Sequence, residues 1–259
     1  MRTVTWEMQT NYVGILYLNR PDAANAFSTQ LIEDFHHALD EIEAHEDLRA
    51  LIITGKGEKA FCAGADLKER QTMTEDEVVK TVRSIGGLVR RVEQLSVPTI
   101  AAINGAAFGG GLELSLACDI RVASDKAKMG LTETSLAIIP GAGGTQRLAK
   151  LIGLAKAKYY ILTAKRFGSE EAQSIGLIEE NVSHDKLVDQ AVTLANQISA
   201  NGPVGVRAAK QAIERGYERD IATGLEIERH YYLTTIPTED RLEALQAFKD
   251  KRQPQFKGK

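Results

Sequence analysis

Three short segments of this sequence hold residues that could bind an anion and move protons. The first is Asn104-Gly105-Ala106-Ala107-Phe108-Gly109-Gly110-Gly111-Leu112-Glu113-Leu114. Its three successive glycines lack Cβ atoms, so a ligand can approach the backbone closely. If a helix opens at Gly110 or Gly111, its first N–H groups have no intrahelical partner and sit at the positive end of the helix dipole. Such donors can hold an oxyanion. The ordinary alternative is a tight turn, followed by a helix whose N3 glutamate, Glu113, merely complements the dipole. The second segment, Ala60-Phe61-Cys62-Ala63-Gly64-Ala65-Asp66-Leu67, follows a strand and sets small residues at a turn. Its backbone N–H groups can face a ligand oxygen or simply form a loop. The third, Thr132-Glu133-Thr134-Ser135-Leu136-Ala137-Ile138-Ile139-Pro140, places Glu133 among hydroxyl side chains before an apolar run. Helix capping or surface charge is its ordinary use.

Nucleotide-binding readings of the glycines fail on spacing. The first loop is not GxGxxG, and no acidic residue lies about 20 positions on in a βαβ setting. In Pro140-Gly141-Ala142-Gly143-Gly144, Gln146 stands where the third glycine belongs, and neither loop is followed by Gly-Lys-Ser/Thr.

The elements that must position these segments alternate along the chain. Residues 13–20 predict a strand that stops at Pro21. Ser28 caps a helix over roughly 29–46, with Leu31, Phe35, Leu39 and Ile42 at the 3.6 period. Ala50–Thr54 predicts a strand and turn, and Thr74 opens an amphipathic helix through Leu95 that Pro98 closes. Strands at Thr99–Ile103 and Ile120–Ala123 flank the glycine loop and a helix over Leu112–Ala117. From about 143 only helices are predicted: one opening at Ser169-Glu170-Glu171, then 184–200, 203–217, 220–234 and 238–252. That order fits an α/β core with an α-helical tail. The expected division is a core at 1–197 carrying the site and a helical region at 198–259 serving oligomerisation.

The chain has 259 residues, 43% hydrophobic and 26% charged, with a net charge of -3. These values suit a globular protein and give no general nucleic-acid binder, which would usually be basic. No targeting segment is visible at the N-terminus, and no apolar stretch is long enough to span a membrane. Cys62 and Cys118 lie outside any CxxC pattern and read as reduced thiols, so a cytoplasmic setting is expected. The five histidines form no HxxxH pair; His36, His37 and His45 are expected at the surface, and no metal is expected.

Taken together, these segments resemble the crotonase, or enoyl-CoA hydratase/isomerase, superfamily. The resemblance runs from Leu18-Asn19-Arg20-Pro21 with Asn25-Ala26, through Phe61–Asp66 and Asn104–Glu113, to Ile139–Leu148 and Phe248-Lys249-Asp250-Lys251-Arg252. Ala65-Asp66-Leu67-Lys68-Glu69-Arg70, Gly110–Leu114 and Lys128–Leu131 with Glu133-Thr134 are most similar to the methylglutaconyl-CoA hydratase branch, whose animal member also binds AU-rich RNA. The resemblance implies the crotonase fold, a spiral of ββα units with a helical C-terminal region. It implies an oxyanion hole made by the N–H groups of Ala65 and Gly110, and a catalytic carboxylate pair, Glu113 and Glu133. Ala24, Ala26, Ala63, Asp66, Leu67 and Lys68 are expected along the CoA arm. Gly109, Pro140 and Gly141 join the substrate-binding set, with Phe248 and Lys251 reaching it from the same or a neighbouring subunit. The substrate is an acyl-CoA thioester, coenzyme A being part of it, and no separate cofactor is implied. A homotrimer or dimer of trimers is expected, with Leu225, Tyr232, Leu242, Leu245 and Phe248 supplying apolar faces; the alternative is that these faces close the monomer's own core. Lyase chemistry in fatty-acid or leucine breakdown is the implied setting.

In that chemistry, water attacks C3 of an α,β-unsaturated thioester and charge moves to the thioester oxygen. One carboxylate takes a proton from water, assigned to Glu113. The other, protonated, gives one to C2, assigned to Glu133; the reverse or a shared role stays open because the site must also run backwards. Double-bond isomerisation is the near rival, since it needs one principal carboxylate and no attacking water. A silent scaffold is disfavoured by the two intact glutamates. RNA binding is disfavoured by the helix at 29–49, where Glu33, Asp34, Asp40, Glu41, Glu43, Glu46 and Asp47 face Arg49 alone.

Overall fold

The computed structural model describes residues 2–259. The chain opens with the antiparallel strands β1 (Val4–Met8) and β2 (Val13–Leu18), then helix α1 (Thr29–Glu43). Three strand pairs follow: β3 (Ala50–Gly55) with β4 (Ala60–Cys62), β5 (Thr99–Ile103) with β6 (Ala106–Phe108), and β7 (Ile120–Ser124) with β8 (Lys128–Gly130). Helices α2 (Leu67–Arg70) and α3 (Glu75–Glu93) come after the first pair and α4 (Gly110–Ala117) after the second. After the third come a 3₁₀ turn at Glu133–Leu136, α5 (Gly144–Ile152) and α6 (Leu154–Leu162). In each pair the first strand joins one sheet and the second joins another. The large sheet has the order β1-β2-β3-β5-β7-β10 and the small one β4-β6-β8-β9, where β9 is Phe167–Gly168 and β10 is Glu180–Val182. Repetition of this ββα step winds the chain into a spiral.

Period-two alternation in the large sheet sorts its side chains between two cores. Leu16, Leu51, Ile53, Ala101 and Ile103 face the main core, which α1, α3 and α4 also fill. Ile15, Ala50, Ile52, Ile100 and Val122 face outward, where Leu187, Ala191 and Ala195 of α8 (Leu187–Ser199) cover them. Both faces are therefore buried, which is why β3 reads as an unbroken apolar run rather than an alternating one. Each fully buried Ile or Leu here contributes roughly 1.5–3 kcal/mol. Helix starts follow their caps. Leu31 N–H donates to the Ser28 hydroxyl at 3.2 Å, and Thr74 with Glu77 forms a capping box.

The expectation of helices alone beyond residue 143 is corrected by β9 and β10. The latter runs parallel to β7 and completes the large sheet. These strands are two and three residues long, too short for periodicity to register. The same brevity hid β4, β8 and β6, the last lying inside the segment read as a glycine loop. The antiparallel β1 also goes unread in the sequence. Helix α1 ends at Glu43 rather than 46, and α3 at Glu93 rather than Leu95. His36 and His45 are half-buried rather than on the surface: Arg91 donates to the His36 carbonyl at 3.1 Å, and the His45 ring meets Trp6 edge-on.

The tail comprises α9 (Pro203–Gly216), α10 (Ile221–Thr235) and α11 (Glu239–Asp250), following the short α7 (Ser169–Ser174) and α8. The boundary at 197 falls inside α8. Helix α9 docks on the core through buried Lys210, whose ammonium sits 2.8 Å from Asp119 and 3.2 Å from the Val97 carbonyl. Leu225, Tyr232, Leu242, Leu245 and Phe248 are exposed, Phe248 at 86%, so these faces do not close the monomer's own core.

Candidate active site

Strand order explains how residues far apart in sequence meet. β4, β6 and β8 are adjacent and parallel, so the loops leaving their C-terminal ends lie side by side. Ala65 stands three residues beyond β4, Gly110 two beyond β6 and Glu133 three beyond β8. Crevices at the carboxyl ends of parallel strands are where ligands of α/β proteins bind. Here the loops border a cavity of about 770 Å³, lined by Ala65, Gly110, Glu113 and Glu133 among others. Such a volume suits a small-molecule ligand.

Glycines let the first two loops touch. Gly64 has φ +88°, and a Cβ there would lie 2.8 Å from the Phe108 carbonyl oxygen. Gly109, with φ +53°, turns β6 into α4. The helix starts at Gly110, so Glu113 is its fourth residue rather than N3, and its N–H bonds the Gly109 carbonyl at 2.9 Å. The Gly110 N–H is a first-turn donor with no intrahelical acceptor. The Ala65 N–H comes from the abutting loop, which the Phe27 N–H pins by donating to the Gly64 carbonyl at 2.8 Å. Two buried asparagines brace the loops from behind. Asn104 donates to the Gly57 carbonyl at 2.7 Å and Asn25 to the Ala60 carbonyl at 2.8 Å.

The two carboxyls differ in their surroundings. Glu113 is 2% exposed, and its Oε1 accepts from the Ala142 N–H at 2.8 Å and the Gly144 N–H at 2.7 Å. Burial raises its pKa, while the two N–H donors and the nearby Arg147 guanidinium pull the other way. Glu133 has weaker support. Its Oε2 is buried with no partner among the described residues. Burial pushes its pKa up to about 7, against its own N–H, and the negative charge of Glu113 adds to the rise. One carboxyl is thus clamped in orientation, and the other is poised to titrate near neutrality.

Residues that the sequence did not single out for this work hold Glu113. The Pro140–Gly144 loop supplies its two donors, and Arg147 supports that loop, donating to the Ala142 carbonyl at 2.7 Å and to Glu93 at 2.6–2.7 Å. The signal was present as a glycine-rich run but carries no periodicity that names a partner. Arg70, Val82, Ile85 and Arg166 also line the cavity.

Of the residues expected along the substrate, Ala63, Leu67, Gly109 and Gly141 line the cavity, whereas Ala24, Ala26, Asp66, Lys68 and Pro140 do not. Ala26 and Pro140 are buried. Asp66 caps α2 through the Lys68 N–H at 2.9 Å and pairs with Arg20 at 2.6 Å. Burial works against its charge, but those partners outweigh it and hold Asp66 below the usual carboxylate range. Phe248 and Lys251 stand at the end of α11, outside this cavity. Among the described residues, no group of three His, Cys, Asp or Glu side chains has the arrangement of a metal site, and no helix is long and apolar enough to cross a membrane. Cys62 and Cys118 are free and buried, and burial pushes both thiols up to about 12.

The chain is similar to known proteins along almost its whole length. Residues 8–259 match the family described as enoyl-CoA hydratase/isomerase. A putative enoyl-CoA hydratase/isomerase, YngF, of Bacillus subtilis is 51% identical over 256 residues, spanning 99% of this chain and 98% of the relative. The human mitochondrial methylglutaconyl-CoA hydratase is 48% identical, over 97% of this chain and 76% of its own. A crystal structure of an enoyl-CoA hydratase from Bacillus anthracis superposes with a TM-score of 0.98 at 50% identity, covering 99% of this chain and 100% of the other.

Proposed function

Because this chain belongs to the enoyl-CoA hydratase/isomerase family, we propose that the cavity at the ends of β4, β6 and β8 hydrates the C2=C3 bond of an enoyl-CoA thioester. The observation that carries this reading is the meeting of Glu113 and Glu133 on one cavity beside the Ala65 and Gly110 backbone. The thioester oxygen accepts the N–H groups of Ala65 and Gly110, which stabilise charge that is small in the substrate and large in the transition state. Losing one such donor costs about 2.7–4 kcal/mol in a comparable enzyme.

Glu113, oriented by two N–H donors on Oε1, takes a proton from water as its oxygen bonds to C3. Glu133, with its pKa lifted to about 7, gives a proton to C2. The π electrons form the new C2–H bond by way of the enolate. Glu113 ends protonated and Glu133 ionised, and a proton exchange resets the pair. The resemblance to methylglutaconyl-CoA hydratases makes 3-methylglutaconyl-CoA, and with it leucine breakdown, the leading assignment.

The exposed apolar side chains of α10 and α11 support association between copies of this chain, and the assembly we assign is a trimer or dimer of trimers. No nucleic-acid partner is assigned. Several acids of the 29–49 segment are engaged within the protein, Asp40 and Glu43 with Arg91 and Glu41 with Arg2.

Following the loss of enoyl-thioester absorbance with crotonyl-CoA and 3-methylglutaconyl-CoA tests the reading. Wild type consumes both, and Glu113→Gln lowers kcat by about 10²–10⁴-fold while retaining CoA-thioester binding. Near-normal turnover by Glu113→Gln refutes it, and a shifted double bond without added water assigns isomerisation instead.

A further inference from the structure

We propose that Arg147, anchored by Glu93, is a positioning residue that seats the Ala142–Gly144 backbone against Glu113; this deepens the hydratase reading and rests on it. The Ala142–Gly144 segment lies between two charged side chains. On one side Glu113 Oε1 accepts the N–H groups of Ala142 and Gly144. On the other, Arg147 Nη1 donates to the Ala142 carbonyl at 2.7 Å. The rest of that guanidinium grips Glu93 as a fork, Nε to Oε1 at 2.7 Å and Nη2 to Oε2 at 2.6 Å. Side chains on the segment would break the stack. A Cβ on Gly144 would stand 3.0 Å from Glu113 Oε1, and one on Gly143 would overlap the Arg147 guanidinium. Glu113 is therefore only as well placed as a glycine-rich segment that has little stiffness of its own. A planar fork held at both ends supplies stiffness that a single ammonium contact would not.

The anchor is rigid because α3 is. Ile85, Leu88, Val89 and Val92 bury one face of that helix in the main core. Val82, which lines the cavity, lies against Gly141, and Gly86 faces Gly141 and Ala142. Glu93 stands about three turns beyond Val82 on the same helix. Helix α3 thus touches the segment directly and holds it again through Arg147. Charge acts in the same direction as placement. The Arg147 guanidinium favours ionised Glu113, against burial. Glu133 and Arg70 and Arg166 border the same cavity as Glu113. Behind the ion pair, Glu214 of α9 feels the charge of Glu93 and is itself compensated by Lys210, which also holds Asp119. Lys150, on the same helix as Arg147, pairs with Glu218 away from the segment.

The measurement is kcat and KM for crotonyl-CoA hydration across pH, with wild type, Arg147→Met, Arg147→Lys, Glu93→Gln and Lys150→Met. Misplacing a reacting group by a fraction of an ångström is costly, so Arg147→Met should lower kcat by about 10²-fold with KM near wild type. Glu113 must be ionised to take the proton from water. Without its cationic neighbour it ionises later, and the acidic limb of kcat/KM should move up by about one pH unit. Arg147→Lys keeps the charge and loses the fork, so its limb should return towards wild type while kcat stays reduced. Glu93→Gln loosens the seat and leaves the guanidinium charge uncancelled, so kcat should fall with no upward movement of the limb. Lys150→Met removes a positive charge from the same helix and should leave both readings in place. Wild-type kcat in Arg147→Met overturns the proposal. So does a fall in kcat with the limb unmoved, which assigns Arg147 to the fold alone, or a limb that moves as far in Lys150→Met. If Arg147→Met does not fold, wild-type kcat in both Arg147→Lys and Glu93→Gln overturns it instead. In each of these cases wild type still hydrates and the hydratase stands; wild type that does not hydrate crotonyl-CoA defeats the hydratase reading and this proposal with it.

Discussion

Replacing Glu133 by glutamine removes a carboxyl whose pKa the fold lifts from 4.5 to about 7, and stability and turnover should respond in different ways. The group binds its proton more tightly folded than unfolded. Its contribution to stability is therefore fully present below about pH 4.5 and is lost as pH rises through about 7. Glutamine keeps the shape and does not titrate. The melting temperature of Glu133→Gln relative to wild type should accordingly climb across that window and level off above it. A lift of that size corresponds to at most about 3 kcal/mol. The side chain is only partly shielded, so water screens the effect and about 1–2 kcal/mol is expected. Hydration should fall by about 10²–10⁴-fold, since the proton for C2 is gone. In wild type, kcat/KM for hydration should decline above about pH 7 as Glu133 ionises, and that limb should vanish from the residual activity of the variant. Differential scanning fluorimetry across pH and initial rates of enoyl absorbance loss read the two effects. A melting-temperature difference that ignores pH, or a variant with wild-type turnover, would refute the assignment of Glu133 as the neutral proton donor.

Two further outcomes follow from packing. A Cβ at Gly111 would overlap the Cys62 carbonyl where α4 meets β4, so Gly111→Ala should cost about 3 kcal/mol in urea unfolding, and an unchanged midpoint contradicts the close approach. Leu225 and Leu233 on α10 are 51% and 60% exposed, so the double variant Leu225→Glu/Leu233→Glu should sediment as a smaller species than wild type; a wild type that already sediments as a monomer removes the assembly.

The long elements were legible because their periods repeat: α1, α3 and the C-terminal helices sit within a few residues of where apolar spacing and caps place them. The apolar runs at Ala50–Thr54 and Thr99–Ile103 likewise became central strands of the large sheet. The motifs around Glu113 and Glu133 were legible too, as residue types in an order that resembles one family. Strands of two or three residues were not, since they complete no pattern of their own. Yet it is the short strands β4, β6 and β8, lying parallel and adjacent, that carry Ala65, Gly110 and Glu133 to one edge. Sequence alone thus determined which groups were available: two carboxyls and loops small enough to expose backbone N–H groups. Tertiary structure decided what each became. It gave Glu113 two N–H donors from residues 29 and 31 positions onward and left Glu133 Oε2 buried with no partner among the described residues. It also brought Arg70 and Arg166 to the cavity wall. A side chain's charge and reactivity depend on what surrounds it in space, and those neighbours are brought together by strand pairing rather than by proximity along the chain.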